Sequence, residues 1–303
     1  MLRLKDLLII IIGAVIFSLA LFFFFPVKQK FQEIISPLAA GLEETKNLLA
    51  GFTGNSLKET VDSSLKGTHG TYAVIIKNLR TGEYFSQNEK RTYEPASLYK
   101  LWVLGAAFKQ IKEGKLNRDE IISRDARDLN EIFDIASDSA ELTEGTVTMK
   151  ISDAIEQMIT ISHNYAALLL VSKIRNSNVS AFMREQGFSS SRLGQPPRTT
   201  AEDIASFFEK LYTGAMVDGE YSKRMLDLLS QQRLNDRIPK YLPDDVEVAH
   251  KTGEIRGFKH DAGIIFAKDP ILLVVLSESN SQQGAAERIA QLSKNVYYYF
   301  ERK

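Results

Sequence analysis

Residues 97–114 read SLYKLWVLGAAFKQIKEG, and this stretch decides how the rest of the chain is interpreted. Its apolar residues fall on almost every side of a helix, which is the pattern of a helix buried inside a domain. Pro95 discourages an earlier helical turn, so we predict that the helix begins at Ser97. Lys100 is unusual there, because an ammonium group is costly to bury unless it is paired or deprotonated.

Ser97 and Lys100 stand three residues apart and therefore share one face of the predicted helix. A serine at a helix start beside a desolvated lysine is a nucleophile pair, since a lysine of lowered pKa accepts the serine proton and the helix end favours the developing anion. The same spacing recurs at Ser63 and Lys66, which we interpret as a solvated helix end. The pair alone is therefore a weak signal.

Two short motifs further along the chain strengthen it. Residues 162–164 read Ser-His-Asn between two helical patterns, where Ser and Asn are also ordinary helix caps. Residues 251–253 read Lys-Thr-Gly at the end of a strand of alternating valines, where a plain strand-to-turn transition is the alternative. The three motifs follow one another at intervals of 65 and 89 residues, and chance explains this ordered combination poorly.

The ordered motifs resemble those of the penicillin-recognising serine enzymes, class A β-lactamases in particular, over residues 56–303. The resemblance implies that Ser97 attacks a carbonyl carbon and that Lys100 is its base or the relay to it. Ser162 would pass a proton to the leaving nitrogen, and Asn164 would hold Lys100 and the substrate amide. Lys251 would supply positive potential to the site.

The resemblance also implies a set of substrate-binding residues. Thr252 would hydrogen-bond the substrate carboxylate beside Gly253, and the backbone N–H groups of Ser97 and Glu254 would form an oxyanion hole. Two further residues that would add carboxylate recognition are Arg256 and His260, although a plain surface role fits Arg256 equally well.

The sequence departs from the class A pattern at two places. Those enzymes carry a Glu-Pro-x-x-x-Asn loop whose glutamate activates the deacylating water, whereas residues 187–205 here read GFSSSRLGQPPRTTAEDIA. The glutamate segment is missing, leaving Gln195-Pro196-Pro197, and His163 stands where aspartate is usual. The resemblance therefore implies intact acylation chemistry, and slow hydrolysis or a different water position.

The order of strand and helix patterns predicts an α+β fold of the β-lactamase/transpeptidase type. A hairpin near residue 80 and strands after residue 243 place an antiparallel sheet at both chain ends, and helical patterns fill the middle. We expect a catalytic domain over 56–303, with a sheet lobe (56–92 and 245–303) and an all-helical lobe (93–244). A cleft between the lobes is the natural place for a site.

The N-terminus predicts a membrane anchor. Residues 7–25 read LLIIIIGAVIFSLALFFFF without a charge, close to the ~20 residues that span a bilayer. A cleavable signal peptide is the alternative, but its apolar core is shorter and ends in small residues. We expect an uncleaved single-pass transmembrane helix within 1–28, a juxtamembrane stalk over 29–55, and a catalytic domain outside the cytoplasm.

Composition excludes other classes of protein. The chain has no cysteine, its four histidines lack metal-site spacing, and 38 basic residues balance 38 acidic ones without a basic block. The Asp-rich residues 123–142 lack the calcium-loop pattern and are interpreted as a solvated connection. We therefore expect no metal, no cofactor and no nucleic-acid partner. A monomer is expected as well.

Three functions remain open. The first is a serine hydrolase for β-lactams or related amides, and the second is a D,D-peptidase or transpeptidase acting on cell-wall peptide. A penicillin-binding sensor that keeps its acyl group is the third. A lipase-like Ser-His-Asp hydrolase would need a Gly-x-Ser-x-Gly elbow, which the sequence lacks.

Overall fold

The computed structural model describes residues 56–194 and 196–303. The predicted transmembrane helix (1–28) and the stalk (29–55) lie outside the described residues, so these two predictions stand as made. Within the described part of the chain, no helix is both long enough and apolar enough to cross a membrane.

A five-stranded antiparallel sheet is the centre of the fold, in the order β2-β1-β7-β6-β5. Its strands are β1 (Thr71–Asn78), β2 (Tyr84–Gln87), β5 (Val248–Ile255), β6 (Phe258–Ile265) and β7 (Ile271–Glu278). The register pairs Thr71 with Glu278 and Asn78 with Ile271, so the first strand lies against the last. The predicted α+β class and the sheet built from both chain ends are confirmed.

Strands β1, β5, β6 and β7 are largely buried on both faces, and their side chains alternate between two cores, whereas the edge strand β2 is partly exposed. Along β1, Ala73 and Ile75 join the core shared with the helical lobe. Val74 and Ile76 point the other way, into the core beneath the terminal helices α1 (Leu57–Leu65) and α9 (Gln282–Glu301). The sheet is thus a central layer, with the helical lobe on one side.

The helical lobe surrounds one buried helix, α2 (Tyr99–Lys112), which the 97–114 pattern predicted. Its residues from Lys100 to Phe108 are all buried. The neighbouring helices of the lobe are α3 (Ala126–Ile132), α4 (Ile151–Thr160), α5 (Asn164–Ile174), α6 (Asn176–Glu185), α7 (Ala201–Tyr212) and α8 (Gly219–Leu229). Of these helices, α4, α5, α6 and α8 contact α2 directly, and the turn before α2 (Ala96–Leu98) contacts β5.

The structure differs from the sequence-based prediction in two details. The lobe is not all-helical, because β3 (Ile121–Asp125) and β4 (Thr146–Lys150) form a small antiparallel sheet within it. The α-helix begins at Tyr99, and Ser97 lies in a preceding 3₁₀ turn, Ala96–Leu98. That turn advances farther per residue than an α-helix and carries the serine on a tighter bend.

Candidate active site

Ser97 lies at a strained turn between the sheet and α2. The preceding Ala96 has φ of 45°, in the left-handed region that non-glycine residues seldom adopt. Such strain at a single residue is characteristic of functional sites, because the surrounding structure must enforce it. The turn leaves Ser97 half-buried, while Leu98 and Lys100 on either side of Tyr99 are fully buried.

Lys100 is buried and held by three acceptors. Its Nζ donates to the Ser162 carbonyl oxygen at 2.5 Å, to Ser162 Oγ at 3.1 Å and to Asn164 Oδ1 at 2.7 Å. Burial lowers the pKa of Lys100 from 10.5 to about 7, although the negative charge of Glu141 acts in the opposite direction. An amine with this pKa is partly neutral at physiological pH and can accept a proton.

Ser162 lies between two lysines. Its Oγ accepts from Lys100 and, at 3.0 Å, from Lys251 Nζ on β5. Ser162 has φ of 58°, a second left-handed residue in the site. Burial, followed by the positive charge of Lys100, holds the pKa of Lys251 well below its usual range. The hydroxyl of Ser162 therefore connects the two buried amines.

Asn164 begins α5, and the residue before it, His163, replaces the aspartate that is usual in class A enzymes. His163 Nδ1 accepts from the Ala166 N–H at 3.1 Å and so caps the helix, the task that a short acidic or hydroxyl side chain usually performs. Asn164 Nδ2 donates to Glu141 Oε1 at 2.5 Å, while its Oδ1 accepts from Lys100. Histidine at this position therefore preserves the start of the helix.

Residues 251–253 lie in the middle of β5, rather than at its end as predicted, and Lys251 and Thr252 are buried. Position 253 requires glycine, because a Cβ there would lie 2.8 Å from the Pro95 carbonyl oxygen and 3.1 Å from Leu98 Cγ. The missing side chain lets β5 approach the turn that carries Ser97. The Lys-Thr-Gly motif and the Ser-x-x-Lys motif are thus in direct contact.

Glu254 follows on β5 with an exposed but paired carboxylate. It accepts from Arg237 Nη2 at 2.7 Å and from Lys259 Nζ at 2.5 Å. Arg256 lies in the β5–β6 turn and is exposed. It lines a cavity of about 870 Å³ with Arg91 and Glu278, and none of the predicted catalytic residues lines that cavity. Recognition of a substrate by Arg256 stays a prediction.

The expectation that His260 recognises a carboxylate is wrong. The ring is fully buried, and burial lowers the pKa of His260 from 6.5 to about 4. Its Nδ1 accepts from the Ser277 N–H at 3.1 Å, so the proton is on Nε2, which donates to the Glu94 carbonyl at 2.8 Å. His260 therefore ties the segment before Ser97 to the sheet.

The stretch that replaces the glutamate loop is short and closed on itself. Arg192 and Arg198 exchange two backbone hydrogen bonds of 2.9 and 3.1 Å. Residues 188–200 contain no glutamate. Beside this stretch lies a cavity of about 500 Å³, whose lining includes Tyr99, Val103 and Pro197. Apolar space thus opens next to the residue that precedes Lys100.

A serine in a strained turn, a buried lysine three residues later, and a serine that joins this lysine to another on the sheet define a penicillin-recognising serine enzyme. Residues 56–300 match the model of the β-lactamase enzyme family, and the chain belongs to that family. It is a β-lactamase-like serine hydrolase. A search of curated proteins gave no significant match.

Solved structures show the same fold at low identity. A β-lactamase from Sphaerobacter thermophilus is 23% identical, with a TM-score of 0.70 over 79% of this chain and 95% of that one. A mutant of PBP-A, in an acyl-enzyme complex with penicillin G, is 22% identical, with a TM-score of 0.72 over 85% and 97%. A β-lactamase from Chitinophaga pinensis is 17% identical, with a TM-score of 0.69 over 80% and 98%.

The structure brings together the predicted Ser97 turn, Lys100, Ser162, Asn164 and Lys251, and it leaves Arg256 at a separate cavity. Glu141, which accepts a hydrogen bond from Asn164, is the residue of this site that the sequence did not indicate. It precedes Asn164 by 23 residues in a connection interpreted as solvated, and no motif marks it. Only the path of the loop could have identified this residue.

Proposed function

We propose that the protein forms an acyl-enzyme on Ser97 with β-lactams or related amides and hydrolyses it slowly. The observation that carries the proposal is the environment of Lys100, a buried amine whose pKa is about 7 and which is three residues from the serine. Burial supplies a general base at neutral pH without a histidine or a metal.

In the acylation step, neutral Lys100 removes the proton from Ser97 Oγ as this oxygen bonds to the carbonyl carbon. Collapse of the tetrahedral intermediate breaks the carbon–nitrogen bond. The proton on Lys100 then passes through Ser162 to the departing nitrogen, a route supported by the 3.1 Å separation of Lys100 Nζ and Ser162 Oγ. An ester on Ser97 remains.

In this proposal, substrate binding falls to the face of β5. Lys251 lies 3.0 Å from Ser162 Oγ and so places its amine next to the developing charge. Thr252 follows on the same strand and would meet a substrate carboxylate, while the N–H groups of Ser97 and Glu254 would bind the oxyanion. Each such donor typically stabilises the transition state by about 3 kcal/mol.

Deacylation is the step for which the site is poorly equipped. A water must be deprotonated as it attacks the ester, and the stretch that carries a glutamate in class A enzymes has none here. The adduct should therefore persist. The PBP-A mutant, which has a similar fold and holds penicillin G as an acyl-enzyme, supports the reading that adducts of this kind accumulate.

The test is the intact mass of the full chain in detergent after mixing with a penicillin. We expect a mass increase of one penicillin that remains for minutes or longer and is absent in Ser97→Ala. Ser63→Ala is the matched control, because Ser63 belongs to the second Ser-x-x-Lys copy and should leave labelling unchanged. Rapid release with many turnovers would contradict slow hydrolysis, and a wild-type chain without adduct would contradict the proposed function.

A D,D-peptidase acting on cell-wall peptide is the second candidate, and the missing loop glutamate favours it. A peptidase needs the same acylation step, and its acyl group passes to water or to an amine. Release of D-alanine from a D-Ala-D-Ala peptide, compared with hydrolysis of a chromogenic cephalosporin, separates the two activities. A long-lived adduct without either turnover would favour a penicillin-binding sensor.

We further propose that residues 7–25 anchor the chain in a membrane and that the catalytic domain faces away from the cytoplasm. The uncharged run of residues and the occurrence of β-lactams and cell-wall peptides outside cells support this topology. The protein is proposed to act as a monomer, because one chain supplies every residue of the site. Protease added outside bacterial spheroplasts should remove the domain, and a cytoplasmic, soluble product would contradict the anchor.

A further inference from the structure

Hydrogen bonds from two buried side chains fix the backbone of Leu142, an exposed residue in the loop between α3 and β4. The Tyr165 hydroxyl accepts from the Leu142 N–H at 3.0 Å, and Asn130 Nδ2 donates to the Leu142 carbonyl at 2.7 Å. Tyr165 and Asn130 are themselves joined at 2.7 Å, and both side chains are buried. This support determines where the preceding residue, Glu141, lies.

Glu141 reaches the site through Asn164. Its Oε1 accepts from Asn164 Nδ2 at 2.5 Å, and Asn164 Oδ1 accepts from Lys100 Nζ at 2.7 Å. Tyr165, which holds the loop, directly follows Asn164 at the start of α5. One carboxylate is therefore connected to the buried amine by a single amide. Helix α5 supplies both that amide and the tyrosine that holds the Glu141 loop.

We propose that Glu141 is a positioning residue for acyl transfer, one that holds the Asn164 amide in the orientation that receives Lys100. This inference rests on the proposed function of Ser97 and Lys100. A carboxylate only accepts hydrogen bonds, so the NH₂ group of Asn164 must face Glu141 and its oxygen must face the lysine. A flipped amide would instead direct its NH₂ group at Lys100 and occupy the lone pair that the serine proton needs.

The orientation also leaves room for substrate. The Asn164 NH₂ group has two hydrogens, and Glu141 takes one of them, so the other is free for a substrate amide oxygen. Neutral Lys100 likewise has two hydrogens and one lone pair. With one hydrogen directed at Asn164 Oδ1 and the other shared between the two oxygens of Ser162, the neutral amine would keep its lone pair for the proton of Ser97.

The charge of Glu141 has a second, measurable effect. The charged groups that face Lys100 are Glu141 from the loop and Lys251 from β5, and the ring of Tyr99 lies 6.0 Å from its Nζ. Glu141 raises the pKa of Lys100 against the larger effect of burial. Removing this charge should lower the pKa of Lys100 below about 7. A purely structural residue would leave this pKa unchanged.

The experiment compares Glu141→Gln and Glu141→Ala with the wild-type full chain, using a fluorescent penicillin between pH 5 and 9. We expect acylation of Glu141→Ala to be slower by about 10- to 100-fold, the cost of a misplaced reacting group. Glu141→Gln should be intermediate, with its rate rising at a lower pH than in the wild type. Glu144→Gln, an exposed residue of the same loop, is the matched control and should behave as the wild type.

A second measurement needs no substrate. Titration of the Lys100 amine by NMR of ¹⁵N-lysine-labelled protein should give a lower pKa in Glu141→Gln than in the wild type. Wild-type acylation rates and an unmoved Lys100 titration in the Glu141 variants would overturn the proposal. A change in adduct lifetime alone would overturn it too, since positioning acts on acylation. If the wild type takes no penicillin, the proposed function fails, and acyl transfer has no step for Glu141 to support. If the wild type is labelled and the Glu141 variants match its rate, only the positioning role fails.

Discussion

Lys100 and Lys251 both donate a hydrogen bond to the same hydroxyl oxygen, Ser162 Oγ, at 3.1 and 3.0 Å. Both amines are fully buried, and the charge of Lys100 contributes to the lowered pKa of Lys251. Two ammonium groups that contact one hydroxyl oxygen repel each other strongly where water is excluded. Together the two amines therefore hold fewer protons near neutral pH than two free lysines would. Ser162 lies between them, where it could pass a proton from one group to another.

The first prediction concerns the pH dependence of acylation. Since Lys100 must be neutral to accept the serine proton, the labelling rate should rise with pH around its pKa of about 7. Lys100→Met should abolish labelling while circular dichroism still reports the folded chain. Lys66→Met, at the second Ser-x-x-Lys copy, is the control. Undiminished labelling of Lys100→Met would show that Lys100 takes no part in acylation.

The second prediction concerns Ser162. Ser162→Ala breaks the connection between the two amines and should slow acylation by about 10²- to 10⁴-fold, the usual contribution of proton transfer. Ser86→Ala changes another Ser-x-Asn sequence, which begins in β2, and should leave the rate unchanged. Equal rates for the two variants, measured with one fluorescent penicillin at pH 7.5, would argue against a proton route through Ser162.

The third prediction concerns Gly253. A methyl group there would lie 2.8 Å from the Pro95 carbonyl, so Gly253→Ala must push β5 away from the Ser97 turn. Overpacking of this kind costs about 1–3 kcal/mol of stability, and we expect a lower melting temperature together with slower acylation. A Cβ at Gly219 meets nothing within 4 Å, so Gly219→Ala is the control. Normal acylation by Gly253→Ala would show that this close contact is dispensable.

The fourth prediction concerns acid stability. Because the pKa of His260 is about 4 in the fold and 6.5 when free, the unfolded chain binds this proton first as pH falls. The contribution is complete above pH 6.5 and lost as pH falls through 4, amounting to about 3 kcal/mol. Urea unfolding at pH 7 and 4.5 should show a smaller loss in His260→Gln. The exposed His69→Gln should follow the wild type, and identical losses in all three proteins would contradict the assignment.

Local spacing made much of the site predictable. Ser97 and Lys100 are three residues apart, and a helix period converts that spacing into one shared face, although the serine lies in a 3₁₀ turn. The apolar pattern of α2 showed that Lys100 is buried, which in turn indicated a lowered pKa. The prediction that Ser97 and Lys100 lie near residues 162–164 and 251–253 came from the resemblance, because no local rule relates segments so far apart in the chain.

Other features depend on contacts that a pattern does not show. In β3 only Ile122 is buried, so the strand lacks the alternation that would have revealed the small sheet. His260 looked available for a ligand because the sequence does not show that both ring nitrogens are already engaged. The position of Glu141 depends on how Tyr165 and Asn130 hold the neighbouring backbone.

The pairing of β1 with β7 has a kinetic consequence. Thr71 must find Glu278 across almost the whole described chain, and contacts of such separation form slowly because a long loop has to close first. The helices between them contact nearer neighbours and can assemble earlier. Since β5 presses Gly253 against the Ser97 turn, we expect the proposed reactivity of the serine to appear only after the last strands have docked. Covalent labelling of Ser97 during refolding would therefore report the completion of folding, later than signals from the helices.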